Sequence, residues 1–159
     1  MADIYIAIGS NEQPLHNIGK ALSMLADHCK LIRESPWYAS PAVGSAEGQF
    51  VNLVIGAETE LVPAELIVAL KSIERMCGGL PTNQILDLDL LLYDDLVLNE
   101  GAIRVPRDDI EKFAFVLKPL AELAPELHHP VLGKTYAEMW LTSDLDAASL
   151  KLVSPNALE

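Results

Sequence analysis

Residues 85–93 read Ile85-Leu86-Asp87-Leu88-Asp89-Leu90-Leu91-Leu92-Tyr93, one of the most apolar stretches of the chain, interrupted only by two aspartates one residue apart. The run is short and leucine-rich, and Pro81-Thr82-Asn83 before it is a short loop, so it reads as a strand. In a strand, residues i and i+2 point to the same face. Asp87 and Asp89 are therefore expected side by side on the face of Ile85, with Leu86, Leu88, Leu90 and Leu92 packed on the other. Two carboxylates held that close repel unless a proton or a cation lies between them. A hard divalent ion satisfies the arrangement, magnesium where phosphates are the co-ligand. Strand-edge carboxylates facing water are the alternative. The flanking leucines argue for a buried strand, where unpaired carboxylates are costly.

The rest of the chain bounds what such a strand serves. A chain of 159 residues is one domain of ordinary size with room for a proper core, so a single domain is expected over 1–159. Half the residues are hydrophobic and 21% are charged, which excludes disorder. A net charge of -12 argues against a nucleic-acid surface, which needs a basic stripe. It also requires local cations or metal around any anionic substrate. Cys29 and Cys77 lie far apart, without CxxC or Cys/His zinc spacing, so two reduced core thiols in a cytoplasmic protein are expected. Met1-Ala2-Asp3-Ile4 has neither a charged n-region nor a cleavage site, and no signal peptide is expected. No apolar run approaches the roughly 20 residues of a membrane span, so no membrane partner is expected.

Upstream of the aspartates, Ile4 to Ile8 is apolar throughout and reads as a central strand buried on both faces, ended by the turn signal Gly9-Ser10-Asn11. Pro14 opens a helix in which Leu15, Ile18, Leu22 and Leu25 repeat at helical spacing to about Asp27. Cys29 to Tyr38 reads as a second strand with Leu31 and Ile32 at its centre and Pro36 marking an irregular end or an edge. Ala39 to Gln49 reads as a loop and Phe50 to Ala57 as a third strand. Pro63 begins a second helix with a Leu66, Leu70, Ile73, Cys77 stripe, ended by Gly78-Gly79. Strand, helix, strand, strand, helix, strand is the ferredoxin-like order. The fold class expected is α+β, a β-α-β-β-α-β sheet with helices on its faces and a C-terminal extension. In that extension Asp94-Asp95 is a turn candidate before a short strand at Leu96 to Leu98, and Val105-Pro106-Arg107 is extended. A helix is expected over Phe113 to Leu123, broken or kinked by Pro119. A short one from Tyr136 to Leu141 is capped by Thr135.

Several features stand in one order: Gly9-Ser10-Asn11, then Trp37-Tyr38-Ala39-Ser40-Pro41-Ala42-Val43-Gly44, Phe50-Val51-Asn52, Glu74 on the second helix, and Leu86-Asp87-Leu88-Asp89-Leu90. Val105-Pro106, Phe115 and Leu123-Ala124-Pro125-Glu126-Leu127 follow. With these the chain resembles the 6-hydroxymethyl-7,8-dihydropterin pyrophosphokinases of folate biosynthesis from about Ile4 to Leu127. The resemblance implies transfer of pyrophosphate from ATP to the hydroxymethyl group of a reduced pterin, with two magnesium ions (Mg2+) held by Asp87 and Asp89. That is the two-metal clamp of in-line displacement at phosphorus. It implies a pterin pocket of Ser40, Pro41, Val43, Phe50, Asn52 and Phe115. A flat heterocycle with a donor/acceptor edge suits an aromatic face and an amide able to donate and accept together. Glu74 matches a family carboxylate near the nucleotide; with Lys71 and Arg104 it is expected on the ATP side. The expected partners are these small molecules, with no nucleic acid and the chain acting as a monomer.

The chain departs from the family between the second helix and the aspartate strand. Family members carry there a long, arginine-rich loop with a tryptophan that closes over the pterin, leading into Arg-Thr-Leu-Asp-Leu-Asp. This chain has Gly78-Gly79-Leu80-Pro81-Thr82-Asn83-Gln84-Ile85, several residues shorter, without arginine or tryptophan, and with Gln84 at the arginine position. Arg107 follows Val105-Pro106 where the family has histidine, and a later family arginine is replaced at about Phe113. Phosphoryl transfer depends on positioning and on cations that neutralise developing charge. Lys71, Arg75, Arg104, Arg107 and Lys112 are the substitutes at hand, and Arg107 joins Asp87 and Asp89 as the expected catalytic set. The same departures fit two other readings. One is a paralogue that binds pterin or nucleotide without efficient transfer; the other is a metal-dependent enzyme acting on a different phosphorylated substrate.

Overall fold

The strand β1 (Ala2–Ser10) runs antiparallel between β4 (Gln49–Thr59) and β5 (Leu86–Tyr93) in the computed structural model, which describes residues 1–41, 49–77 and 85–154. Its continuous apolar run follows from burial on both faces. Ile4, Ile6 and Ile8 pack with Leu53, Ile55, Leu86, Leu88 and Leu90 under α1 (Pro14–Leu25) and α2 (Pro63–Met76), whose Ile18, Ala21, Leu25, Leu66, Leu70 and Ile73 complete that core. Both helices start with proline, whose missing N–H would be an unpaired donor in the first turn anyway. On the opposite face, Tyr5, Val54, Leu91 and Leu92 pack against α3 (Asp109–Lys112), α4 (Ala114–Leu123) and α5 (Tyr136–Thr142).

The main sheet has the spatial order β5-β1-β4-β3-β8, with β2 (Lys30–Glu34) pairing β4 beyond the end of β3 (Trp37–Pro41). This is the α+β, ferredoxin-like arrangement expected. The C-terminal extension supplies a hairpin of β6 (Leu98–Glu100) and β7 (Ile103–Val105), the three later helices, and an outer strand, β8 (Lys151–Val153), beside β3. Thr135 caps α5 as read, its Oγ1 accepting the Glu138 N–H at 3.1 Å. Cys29 and Cys77 are buried free thiols. Among the described residues no helix is long and apolar enough to cross a membrane.

Five expectations are corrected by tertiary structure. The second strand is two strands: Pro36 has no N–H for the ladder, and Ser35 Oγ accepts the Val54 N–H at 2.9 Å where a backbone carbonyl would otherwise serve. Leu31 and Ile32 are exposed on β2 rather than buried at a strand centre. Ala39–Pro41 of the expected loop belong to β3 and Gln49 to β4; 42–48 lie outside the described residues. The short strand after the Asp94 turn is Leu98–Glu100 rather than Leu96 to Leu98. Pro119 sits inside α4 without ending it, because burial of Val116, Leu117, Leu120 and Ala121 offsets the one backbone bond that proline forfeits.

A bulge at Leu91 changes the reading of the aspartate strand. Ile6 pairs with Leu90 but Tyr5 pairs with Leu92, so one residue is extra in β5. A bulge flips the alternation beyond it. Leu92 therefore lies on the Tyr5 face with Leu91, not with Leu86, Leu88 and Leu90.

Candidate active site

One row of residues crosses the sheet at the end of β1: Asp87 pairs with Gly9, Gly9 with Asn52, and Asn52 with Tyr38. Asp89 lies one step along the same face, opposite Ala7, which faces Val54. Ser40 and Phe50 pair with each other one step further in the other direction. Paired residues share a face, as do residues two apart on one strand. Asp87, Asp89, Asn52, Ser40 and Phe50 thus all point to the side covered by α4. Phe115, in the first turn of α4, is on that side too and stacks on Phe113 at 4.9 Å between ring centroids.

The turn after β1 is held from within. Ser10 Oγ donates to the carbonyls of Glu12 and Ile85, tying the end of β1 to the start of β5, and Asn17 Nδ2 donates to Glu12 O at 2.6 Å. A side chain at position 9 would displace the Asn52 amide: a Cβ there would lie 2.6 Å from Asn52 Oδ1. The Asn52 amide lies over the glycine, buried, with Nδ2 3.4 Å from Ser40 Oγ. That contact is long, and it is the one side-chain hydrogen bond of the amide among the described residues.

Asp87 and Asp89 sit on an edge strand, as the water-facing alternative required, yet the Asp89 side chain is only 18% exposed. Glu74 reaches them from α2. Its Oε2 accepts the Leu88 N–H at 2.8 Å, the amide between the two aspartates, and its Oε1 lies 3.2 Å from Lys71 Nζ. The carboxylates crowd each other. Burial and then the charge of Glu74 push the Asp87 carboxyl above its ordinary range. Burial and then the charge of Asp87 push Asp89 to about 7, against the pull of Arg107. Such a pair is short of positive charge and offers hard oxygen donors. No group of three or more His, Cys, Asp or Glu side chains among the described residues could hold a metal ion. A cation at the aspartates would take its remaining ligands from water or a bound phosphate.

Arg107 is brought to this pair, with Nη2 3.5 Å from Asp89 Oδ1 and Nε 3.4 Å from Asp109 Oδ1. Its backbone N–H donates to Leu91 O at 2.9 Å, so the bulged residue of β5 anchors the segment that carries it. The other cations fare differently. Lys71 joins the cluster through Glu74 and Lys112 is engaged with Asp108 on the surface. Arg104 is exposed on β7 and lines a groove of about 300 Å³ with Val97, Pro106, Glu111 and His129, whose lining includes neither aspartate. Arg75 is exposed. Pro41 closes β3, while Val43 and Gln84 lie outside the described residues. Sequence reasoning missed three contributors. Asp109 has no periodicity to betray it, Gly9 reads as part of a turn and of the family pattern with no role at the pocket, and Phe113 reads as the start of a helix and the place of a lost family arginine.

A model of the 7,8-dihydro-6-hydroxymethylpterin-pyrophosphokinase family matches residues 5–125. The chain is similar to a 2-amino-4-hydroxy-6-hydroxymethyldihydropteridine pyrophosphokinase of Aquifex aeolicus, 33% identical over 144 residues, which cover 87% of this chain and 90% of that one. It is also similar to the protein of the same name from Pseudomonas aeruginosa, 37% identical over 135 residues, covering 80% of this chain and 83% of that one. Among solved structures, wild-type HPPK-DHPS of Plasmodium falciparum superposes with a TM-score of 0.73 over 88% of this chain at 14% identity. At that identity the likeness is one of fold. The chain spans 44% of that longer protein.

Proposed function

Since the chain belongs to the 7,8-dihydro-6-hydroxymethylpterin-pyrophosphokinase family, we propose that it transfers pyrophosphate from ATP to 6-hydroxymethyl-7,8-dihydropterin at the row running from Asp87 through Gly9 to Asn52. That row carries the reading. It sets a pair of crowded carboxylates about 10 Å, two strand spacings, from a buried amide whose one side-chain hydrogen bond among the described residues is the long one to Ser40. Asn52, Ser40 and Phe50 bind the pterin from the sheet and Phe115 from α4, with Pro41 and Val43 the further pterin residues that the family pattern implies. Glu74, through Lys71, frames the nucleotide side, with Arg104 further out on β7.

The reaction joins the hydroxymethyl oxygen to the β-phosphorus of ATP, breaks the bond from that phosphorus to the α,β-bridging oxygen, and releases AMP. Asp87 and Asp89 are the residues that would hold divalent cations, and magnesium, two ions on the family pattern, would neutralise phosphate charge as it develops. Glu74 fixes the backbone between the two aspartates and so sets their spacing. Arg107 supplies the fixed positive charge nearest the pair on the β7 side. Asn52 orients the ring so that the hydroxymethyl group faces the aspartates. The chain is read as acting as a monomer and 1–159 as one domain. Free thiols and an ATP co-substrate support a cytoplasmic site of action.

The test is incubation with ATP, magnesium and the hydroxymethyl dihydropterin, following AMP. Release that needs both magnesium and the pterin, and that disappears in Asp89→Asn, is the expected result. AMP release no faster than that of Asp89→Asn would sink the proposal.

A further inference from the structure

Arg107 is gripped from two sides. Its Nη2 faces Asp89 at 3.5 Å while its Nε lies 3.4 Å from Asp109 Oδ1, buried and without a hydrogen bond. Asp89 belongs to the sheet and Asp109 to the first residue of α3, so the guanidinium bridges two elements. Asp109 is close enough that its charge is also felt at Asp89. A carboxylate on the Nε edge leaves the two terminal nitrogens directed elsewhere, the fork geometry that suits carboxylate or phosphate oxygens.

We propose that Asp109 is a positioning residue that holds Arg107 at the aspartate pair by its Nε edge, making Arg107 the resident counter-cation of Asp89 with which an incoming divalent cation must share the site. The inference rests on reading Asp87 and Asp89 as the metal ligands. Without Asp109 the guanidinium has one anchor instead of two and is held less firmly at Asp89. Asp89 is then freer to bind the metal.

The sign of one measurement tests this. Asp109→Asn deletes a negative charge near the cation site, and Coulomb's law by itself makes divalent binding weaker. The positioning role makes it tighter, because the competing guanidinium is released. Mn2+ titrations of the full chain, read by the paramagnetic resonance of free Mn2+, compare wild type, Asp109→Asn, Arg107→Ala, the double variant and Asp89→Asn. Expected are tighter Mn2+ binding in Arg107→Ala and in Asp109→Asn, each by about fivefold as suits a partly buried ion pair, and no further tightening in the double variant. Circular dichroism checks that each variant is folded. Weaker or unchanged binding in Asp109→Asn, with wild-type binding intact and lost in Asp89→Asn, overturns the inference and leaves the metal site standing. No Mn2+ binding by the wild type, with or without an ATP analogue, overturns the metal reading and this inference together.

Discussion

Asp87 and Asn52 face the same residue, Gly9, from its two sides. The strand that separates this carboxylate from this amide presents no side chain between them. Because residue 9 has no Cβ, Asn52 Oδ1 can sit 2.6 Å from where one would be.

Replacing Gly9 by alanine should therefore act on Asn52. A contact of 2.6 Å forces the amide aside. The variant is expected to lose pterin affinity about ten- to a hundredfold, the cost of a lost buried hydrogen-bond partner of roughly 1–3 kcal/mol, and Asn52→Ala should match it. Affinity for an ATP analogue with magnesium should stay within about twofold of wild type, since an alanine methyl adds no charge near the pair. Calorimetry with each ligand separates the two, and undiminished pterin binding in Gly9→Ala would show that Asn52 is not the recognition group.

Asp87→Asn and Asp89→Asn should each abolish magnesium-dependent nucleotide binding while the far-ultraviolet circular dichroism is preserved. An amide has the shape of the carboxylate but cannot offset the charge of a cation. ATP affinity unchanged in both variants would remove the pair from the nucleotide site.

The same pair predicts a pH dependence of stability in the metal-free protein. Burial and Asp87 raise Asp89 from 3.8 to about 7, so the folded state holds a proton that the unfolded chain gives up. The stabilisation is present in full below about pH 4 and is lost as pH rises through about 7. Thermal unfolding without metal should show stability declining across that window. Asp89→Asn should flatten the decline and be more stable than wild type at pH 8 by about 1–2 kcal/mol. Magnesium should raise the wild-type midpoint at pH 8 and leave that of Asp89→Asn where it is. The charged groups facing Asp89 among the described residues are Asp87, Arg107 and Asp109, so Arg107→Ala, by raising Asp89 further, should enlarge the decline and carry it to higher pH.

Turnover should fall well below that of a relative with the long arginine-bearing segment, by about a hundredfold, which one lost electrostatic donor alone can cost. The segment from Gly78 to Gln84 has neither arginine nor tryptophan. Binding should suffer less than rate, because such cations act mainly on charge that develops in the transition state. Steady-state kinetics beside such a relative decide it: a comparable turnover number would mean that Arg107 or another cation does the work of the missing arginines.

Sequence alone determined the parts that depend on local period and on chemistry within a few residues. The apolar runs of β1 and β5, the proline-opened helices, the Thr135 cap and the order of elements were legible because burial dictates side-chain alternation and helices declare a 3.6-residue period. The i, i+2 rule placed Asp87 and Asp89 together for the same reason. Tertiary structure decided what depends on contacts between residues distant in sequence. Leu92 changed face because a bulge at Leu91 is a property of the pairing with β1, and the ladder broke at Ser35-Pro36 because Ser35 Oγ took the N–H of Val54. The Asn52 amide lies over Gly9, and Arg107 meets both Asp89 and Asp109, because the sheet order and the turn into α3 bring them there. No periodicity encodes such encounters: each is set by the register of strands and the path of a loop, which the whole packed core selects at once.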